Sequence, residues 1–291
     1  KTDHIGGGSG SGIPQMCGRI CRLGRHTRRG DGRNSLVSSF FHRKKRTVGK
    51  MPQKGLSGST LKLIAIITML IDHIGAAVIA RLLIAGQGSE MLYKIYYAMR
   101  AVGRVAFPIF CFLLVEGFFY TGSRKKYALR LFGFALLSEI PFDLAFSGKI
   151  LEFGYQNVFF TLLIGLLTIM LFDAVVKKQE WHPVLRSALL VIITFGGMGA
   201  AYLLHTDYDA KGVLAILVFY MTRQMRGLQI VAGCLAFCWE LPAIVAFIPI
   251  AFYNGKRGWN IKYLFYAFYP VHLLVLYLIC VGMGTAQIAV V

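Results

Sequence analysis

Asp72 and His73 are adjacent ionisable residues in the middle of an apolar stretch that runs from Leu63 to Ala80. A lipid-facing carboxylate at the centre of a membrane costs roughly 2.5 kcal/mol or more, so such residues normally face a protein interior or a wet cavity and have a function there. Histidine is the side chain best suited to take up and return a proton near neutral pH. We therefore predict that His73 is a general base and that Asp72 belongs to the same catalytic site.

Lys62 lies eleven residues before His73, and eleven steps of about 100° bring a helix back to within roughly 20° of its starting direction. The two side chains therefore share a helix face, about 16 Å apart along the axis. Lys62 could hold the phosphates of a long donor such as an acyl-CoA while the donor's thioester reached His73. The alternatives are a lysine that reaches the membrane surface and a histidine that is bonded to a neighbouring helix.

Asp72 points about 100° away from His73 on the same helix, so we expect it to pair with another helix. Arg104 is the predicted partner, because both residues fall in the middle to outer half of the membrane. A structural ion pair and a catalytic carboxylate both fit this pairing. Glu116 follows Arg104 in the same segment and is predicted to interact with the basic loop Arg124–Lys126.

Glu139 and Asp143 share a helix face at four-residue spacing. Two neighbouring carboxylates suit an amine-bearing acceptor or a cation, and the alternative is a structural role at the end of the helix. Asn157 opens the following segment, where it could cap a helix. We predict that Glu139, Asp143, Asn157 and Glu116 contribute to substrate binding.

A short cationic turn, Asn254–Gly258, is flanked by glycine and can present backbone N–H groups and two cations to phosphates. An ordinary basic membrane anchor is the alternative. We predict that this turn joins Lys62 in binding the donor, through Asn254, Lys256 and Arg257. His272 lies in the middle of the last apolar segment and is the second candidate base.

The sequence predicts no metal site. The loop that holds His205, Asp207 and Asp209 has residue types that bind metals but no diagnostic spacing, so we expect a solvated turn. Cys17 and Cys21 offer too few ligands for zinc.

The composition indicates a membrane protein, because 56% of the residues are hydrophobic and the mean hydropathy is +0.59. We predict an all-α, polytopic membrane helix bundle with about nine transmembrane segments. Eight or ten crossings are also compatible, because the sixth to eighth segments are short and could be re-entrant or broken helices. The predicted segments are 61–85, 99–120, 127–146, 157–175, 187–204, 212–222, 227–239, 241–253 and 263–283.

The basic residues predict the orientation. After residue 50, fourteen Lys and Arg residues fall on the side where the first segment begins and six fall at or toward the other side, so the N-terminus should be cytoplasmic. Residues 1–50 carry 12 Lys and Arg and two acidic residues. We expect them to form a basic, disordered arm, partly of artificial origin, which touches anionic lipid rather than nucleic acid, while 51–291 form the transmembrane domain.

Several stretches, in order from about residue 57 to 276, resemble the TraX family of integral membrane proteins. They include Asp72-His-Ile-Gly75, Gly103-Arg-Val-Ala-Phe-Pro-Ile-Phe110, Asn157-Val-Phe-Phe-Thr161, Asn254-Gly-Lys-Arg-Gly258 and Tyr269-Pro-Val-His272. The resemblance implies a bacterial inner-membrane protein related to an N-terminal acetylase of conjugative pilin. The first segment also resembles the acyltransferase-3 group, in which Arg, ten residues and His recur; here Lys62 replaces the arginine, and the resemblance implies that His73 rather than His272 is the base.

We therefore expect a membrane-embedded acyltransferase that moves an acetyl group from cytoplasmic acetyl-CoA to an acceptor amine or hydroxyl, on a peptide or a sugar, at or beyond the membrane midplane. His73 would be the base, and Arg104 would order Asp72 or polarise the thioester carbonyl. The alternatives are a proton-coupled transporter or channel that uses the buried Asp, Glu and His residues, and a non-catalytic scaffold.

Overall fold

The computed structural model describes residues 54–259 and 262–290, and for Lys262 and Tyr263 the backbone alone. The predicted arm 1–50 lies outside the described residues. All regular elements in the described part are helices, apart from two isolated parallel bridges, Leu56 with Tyr253 and Gln156 with Thr206. The predicted all-α class is therefore confirmed for this part of the chain.

The first helix, α1, spans Gly58–Ile84. It begins at Ser57, whose Oγ accepts the N–H of Thr60 at 3.2 Å and so satisfies a free donor of the first turn. The helix is regular as far as His73, and one π-helical stretch follows at Ile74–Ile79. Such wider turns are rare and often lie at functional sites. Because the helix widens directly after His73, the side chains beyond the histidine face other directions than the α-helical spacing before it would give.

The second span, Glu90–Tyr120, consists of two helices, α2 (Glu90–Gly103) and α3 (Ala106–Tyr120). Pro108 explains the break, because proline has no N–H for the carbonyl four residues earlier, and that carbonyl belongs to Arg104. The helical span therefore begins before the predicted segment 99–120, and its break lies next to Arg104.

The next two helices are α4 (Arg124–Ser147) and α5 (Val158–Val176). α4 ends at Gly148, which adopts the left-handed φ of +68° that favours glycine after a helix. Asn157 caps α5, since its Oδ1 accepts the N–H of Phe159 at 3.0 Å. The remaining helices are α6 (Pro183–Leu203), α7 (Asp209–Thr222), α8 (Arg226–Ala236), a 3-10 turn (Leu241–Ala246) that leads into α9 (Phe247–Ala251), and α10 (Lys262–Gly282).

The predicted number of about nine spans is not confirmed. In the described part of the chain, five helices are long and apolar enough to cross a membrane: Gly58–Ile84, Glu90–Tyr120, Val158–Val176, Pro183–Leu203 and Leu264–Gly282. The apolar helices Arg226–Ala236 and Leu241–Ala251 are shorter. They pack against each other at Gly233. A Cβ at this position would lie 2.2 Å from the ring of Phe247, so the close packing requires glycine. This pair fits the re-entrant alternative for the short segments.

The start of α1 is joined to the cationic turn that precedes α10. The N–H groups of Gly58 and Ser59 donate to the carbonyls of Lys256 and Arg257 at 2.8 and 3.0 Å. We call this end of the bundle, with Gly58 and the turn Asn254–Gly258, the basic end. The opposite end, where α4 and α10 finish, is the distal end. α1 packs against α2, α3 and α10, and α10 also packs against α4.

Candidate active site: a histidine pair at the edge of a charged cavity

The two histidines that sequence analysis proposed as alternative bases are hydrogen-bonded to each other. His73 on α1 and His272 on α10 are joined by a 2.7 Å contact between Nδ1 and Nε2, and their ring planes differ by 8°. The other nitrogen of His272, Nδ1, lies 2.7 Å from the carbonyl oxygen of Phe268. The interface of α1 and α10 therefore holds one continuous chain of hydrogen bonds rather than two competing bases.

The direction of this chain follows from its last member. A carbonyl oxygen can only accept, so Nδ1 of His272 carries the proton and Nε2 of the neutral ring accepts. Nδ1 of His73 must then donate to Nε2 of His272, which leaves the lone pair of His73 on its own Nε2. His272 thus fixes both the tautomer and the orientation of His73, as partners of active-site histidines commonly do.

Aromatic rings hold the pair in place. Phe146 and Tyr269 both meet the His73 ring edge to face, with centroids 5.4 and 5.9 Å away. His272 is buried, whereas His73 is half-buried and lines a cavity. The two rings therefore differ in access, and His73 is the one that a bound molecule can reach.

The cavity has a volume of about 190 Å³ and lies between α1, α2, α3 and α4. Its wall contains four charged residues and a larger number of aromatic residues. The charged residues are Asp72, Arg100, Arg104 and Asp207; the aromatic ones, besides His73, are Tyr96, Phe107, Phe110, Phe142, Phe146, Tyr155 and Tyr208. Aromatic side chains together with a few convergent polar groups are typical of small-molecule sites.

The direct partner of Asp72 is Arg100 and not the predicted Arg104, although Arg104 lies near enough for its charge to act on Asp72. Asp72 Oδ2 accepts from Arg100 Nη1 at 2.7 Å, and Arg104 instead faces Glu240, at 3.5 Å between Nε and Oε1. Arg100 and Arg104 are four residues apart, so they lie on the same side of the chain, and the earlier one is in closer reach of α1. Because α2 ends at Gly103, Arg104 turns toward the tip of the α8–α9 pair.

Gly103 allows α1 and α2 to come together at Asp72. A Cβ on Gly103 would lie 2.1 Å from the Cβ of Asp72, so no other residue fits without moving the helices apart. This close approach sets the position of the Asp72–Arg100 pair. Sequence analysis did not assign a role to Gly103 or to Arg100.

The loop of His205, Asp207 and Asp209 is only in part the solvated turn that sequence analysis predicted, because His205 and Asp209 are exposed but Asp207 is half-buried. Asp207 lines the cavity and accepts a hydrogen bond from the Tyr155 hydroxyl at 2.7 Å. Burial raises the pKa of Asp207 to about 6, although the bond from Tyr155 and the charge of Arg104 act in the opposite direction. Within the described residues, positive φ angles outside glycine occur at His205, Tyr208 and Asp209, of +48°, +67° and +45°. Such strain is common at functional sites.

Three of the predicted substrate-binding residues join α4 to its neighbours instead of lining the cavity. Asn157 donates through Nδ2 to Glu139 and, at 2.9 Å, to the carbonyl of Ala135. Asp143 accepts the N–H of Glu152 at 2.8 Å. The structural alternative for Glu139, Asp143 and Asn157 is therefore the better description of these contacts.

Glu116 also lies outside the cavity. It accepts two hydrogen bonds from Arg223 of α7, at 2.8 and 3.3 Å. The predicted interaction with the loop Arg124–Lys126 is wrong, because Arg124 pairs with Asp173. Bidentate pairing of a buried arginine and carboxylate joins α3 to α7 near the basic end.

The basic end places the four predicted donor-binding residues close together. Lys62 Nζ lies 5.4 Å from the centre of the Phe265 ring on α10, the helix that also carries His272. Lys62 and His73 therefore face the same neighbour, as their spacing predicts. Lys62 lies near enough to Arg257 to experience its charge.

The backbone of the cationic turn is used differently from the prediction. The N–H of Lys256 donates to Oδ1 of Asn254 at 2.9 Å, and the carbonyls of Lys256 and Arg257 face the start of α1. The Nδ2 of Asn254 donates to the carbonyl of Gly55. Asn254 therefore shapes the turn, and the side chains of Lys256 and Arg257 are exposed at this end of the bundle.

Fold and site define a helical membrane protein in which a histidine pair borders a charged, aromatic cavity. The chain belongs to the TraX family: the model of that family, described as "TraX protein", matches residues 57–280. It is similar to "Probable fimbrial assembly protein FimC, serogroup H1" of Dichelobacter nodosus, with 32% identity over 252 residues that cover 76% of this chain and 94% of that protein. No solved structure matches the chain at a significant level.

Proposed function

We propose that the protein is an acyltransferase of the inner membrane that moves an acetyl group from acetyl-CoA to an amine or hydroxyl in the cavity. The observation that carries the proposal is the hydrogen-bonded chain from His73 through His272 to the Phe268 carbonyl. This arrangement leaves the Nε2 lone pair of His73 as a base beside a cavity of molecular size. A base that is oriented by a second group, which is itself fixed, is the usual design for activating a nucleophile.

The chemistry requires one proton to move twice. His73 Nε2 accepts the proton of the amine or hydroxyl as that group forms its bond to the acyl carbon. The bond between the acyl carbon and sulfur then breaks, and the proton passes from Nε2 to the leaving thiolate. His272 stabilises the positive charge on His73 between the two transfers, because its Nε2 continues to accept from Nδ1. Arg104 lines the cavity and could stabilise negative charge on the acyl oxygen.

The basic end supplies a binding place for the donor's phosphates. α1 is a regular helix from Gly58 to His73, so Lys62 and His73 are separated by about 16 Å along its axis. Lys62, Lys256 and Arg257 cluster at that end, and a coenzyme A that is bound there would direct its thioester arm along α1 toward His73. In this proposal the basic end and the N-terminus would lie in the cytoplasm, as the distribution of basic residues predicts.

The acceptor remains an amine or a hydroxyl in this proposal. The similarity to a protein whose name refers to fimbrial assembly favours a peptide amine over a sugar. Asp72 and Asp207 would suit an ammonium group on its way to His73, since both carboxylates line the cavity.

Transfer of radiolabelled acetyl groups tests the proposal. Purified protein in detergent is incubated with labelled acetyl-CoA and a panel of peptide amines and sugars, and His73→Gln and His272→Gln are compared with the wild type. We expect His73→Gln to lower kcat by about 10² to 10⁴ fold, the usual range for a general base. His272→Gln should lower kcat less than His73→Gln does, because the glutamine oxygen can still accept the hydrogen bond from His73. His182→Gln is the matched control, because His182 is exposed at the start of α6.

Two results would contradict the proposal. If His73→Gln retained wild-type transfer, the base would lie elsewhere. If the wild type transferred no acetyl group to any acceptor but moved protons across liposome membranes in a His73-dependent manner, the protein would be the proton-coupled transporter that the buried ionisable residues also allow.

A further inference from the structure

A second cavity lies at the distal end, next to the one that holds His73. Its volume is about 360 Å³, and it is bordered by the connection between α4 and α5 and by the chain after α10. Its lining comprises Ser147, Lys149, Glu152, Gly154, Tyr155 and Ala289. None of these residues has a part in the proposed chemistry, so the cavity needs a separate explanation.

Tyr155 lines both cavities. Its hydroxyl donates to Asp207 in the inner cavity at 2.7 Å, and its ring lies 5.8 Å from that of Phe142. On the opposite wall, Ala289 faces the outer cavity and the adjacent Val290 faces the inner one. Tyr155 and the C-terminal segment therefore border both spaces, and we call the place where they do so the constriction.

The C-terminal segment is firmly attached on its side of the constriction. Val290 N–H donates to the carbonyl of Phe146 at 2.8 Å, and the buried Arg81 donates to the carbonyls of Ile288 and Ala145 at 2.8 and 2.5 Å. Tyr155, in contrast, is held by one side-chain hydrogen bond. With this bond and its ring contact with Phe142, Tyr155 has fewer attachments than the C-terminal segment on the opposite side.

We propose that the acceptor enters from the distal end through the outer cavity, and that Tyr155 is the specificity-determining residue that limits the size of the chain end that can pass. This inference rests on the proposed acetyl transfer and deepens it. Donor and acceptor would then approach His73 from opposite ends of the bundle. The hydroxyl of Tyr155 would release Asp207 as the acceptor passes, and Asp207 would then accept a hydrogen bond from the acceptor.

Charge distinguishes this entrance from the basic end. Lys149 at the mouth is paired with Glu152 at 2.5 Å, so the two charges largely cancel. A coenzyme with several phosphates finds its cationic partners at Lys62, Lys256 and Arg257, about 30 Å away along the 21 residues of α10. The distal mouth instead suits a neutral or cationic chain end, as an unmodified peptide amine or an amino sugar provides.

The rate at which a thiol in the inner cavity is labelled tests the passage without any acetyl transfer. Ala76 lines the inner cavity, so Ala76→Cys is combined with Tyr155→Trp or Tyr155→Ala and treated with aminoethyl methanethiosulfonate. We expect Tyr155→Trp to slow labelling by about tenfold or more and Tyr155→Ala to accelerate it. Phe153→Trp is the matched control, since Phe153 is 78% exposed, two residues away, and lines neither cavity. The chain without Ala76→Cys gives the background from native cysteines such as the exposed Cys238.

Steady-state transfer provides the second arm, with amino-acid amides from glycine amide to tryptophan amide as acceptors. Tyr155→Trp should raise the acceptor KM by about tenfold, most for the largest amides, and leave the acetyl-CoA KM unchanged. Equal labelling rates in the Tyr155 variants, or a raised KM for acetyl-CoA instead of the acceptor, would overturn the inference. If the wild type transfers no acetyl group, the proposed function fails, and the labelling rates still decide whether Tyr155 controls the entrance.

Discussion

Asp72 and Asp173 both pair with arginine, and they differ in how completely their oxygens are bonded. Asp173 near the basic end has partners on both oxygens: Tyr220 on Oδ1, and Arg124 and Lys177 on Oδ2. Asp72 bonds Arg100 through Oδ2, and its buried Oδ1 has no partner among the described residues. A buried acceptor without a protein partner costs free energy, so it needs a donor from water or from a ligand.

The comparison separates a pair that joins helices from a pair that serves a site. Asp173 connects α5 to α4 and α7, and it lines neither the cavity of His73 nor the outer cavity. Asp72 connects α1 to α2 and faces the cavity of His73. Substitutions at the two positions should therefore affect different measurements, activity at Asp72 and stability at Asp173.

The largest effect on the Asp72 side is expected from Gly103→Ala. The added Cβ would lie 2.1 Å from the Cβ of Asp72, and because both atoms are fixed to backbone, α1 and α2 must move apart. A displacement of about 1 Å in a catalytic site costs about 10²-fold in rate, so we expect at least that loss of acetyl transfer. Gly133→Ala is the control, since nothing lies within 4 Å of a Cβ at Gly133. Equal rates for the two variants would show that the close approach has no catalytic role.

Asp72→Asn should lower the rate of transfer by roughly tenfold to a hundredfold, because the charge that orients Arg100 is removed while the size of the side chain is kept. The free energy of unfolding should change by less than about 1 kcal/mol, since Asp72 already leaves one oxygen unbonded. Initial rates and thermal unfolding midpoints of the same preparations test both statements. A large loss of stability with a normal rate per folded molecule would contradict this prediction and would show that Asp72 is a structural residue like Asp173.

Asp173→Asn should have the opposite outcome. The substitution weakens the hydrogen bonds from Arg124 and Lys177, both of which are partly exposed, so we expect a loss of about 2 kcal/mol in the free energy of unfolding. The kcat of the folded fraction should stay within about twofold of the wild type. Thermal unfolding and transfer assays in detergent measure the two quantities. A fall in kcat without a fall in the unfolding midpoint would contradict the assignment.

How much the sequence could predict depends on whether a feature is local. The shared face of Lys62 and His73 depends only on helical periodicity, and the structure reproduces it. The cap at Asn157 was likewise open to prediction from its position before an apolar run. The partner of Asp72 was not, because the choice between Arg100 and Arg104 depends on where α2 ends and on the close approach at Gly103.

The two histidines illustrate the same limit. His73 and His272 were treated as rivals because 199 residues separate them, and periodicity within each helix says nothing about a contact between helices. Tyr155 and Asp207 were missed for a related reason, since residues in polar loops normally face solvent. Asp207 stands beside Tyr208 in a loop between two apolar segments, and only the fold turns that loop into the cavity.

The smallest effect is expected from the third aspartate, Asp207, which lies between the two extremes because it has one phenol partner and borders the cavity. Burial raises its pKa to about 6 from the ordinary value of 3.8, so the folded protein binds this proton more tightly than the unfolded chain does. The stabilisation from this proton is fully present below pH 4 and is lost as the pH rises through about 6. Asp207→Asn does not titrate and still accepts from Tyr155, so its unfolding midpoint should rise relative to the wild type between pH 4 and 7. Thermal unfolding at pH 4, 5, 6 and 7 tests this, and a constant difference between the two proteins would show that Asp207 ionises in the fold as easily as it does in water.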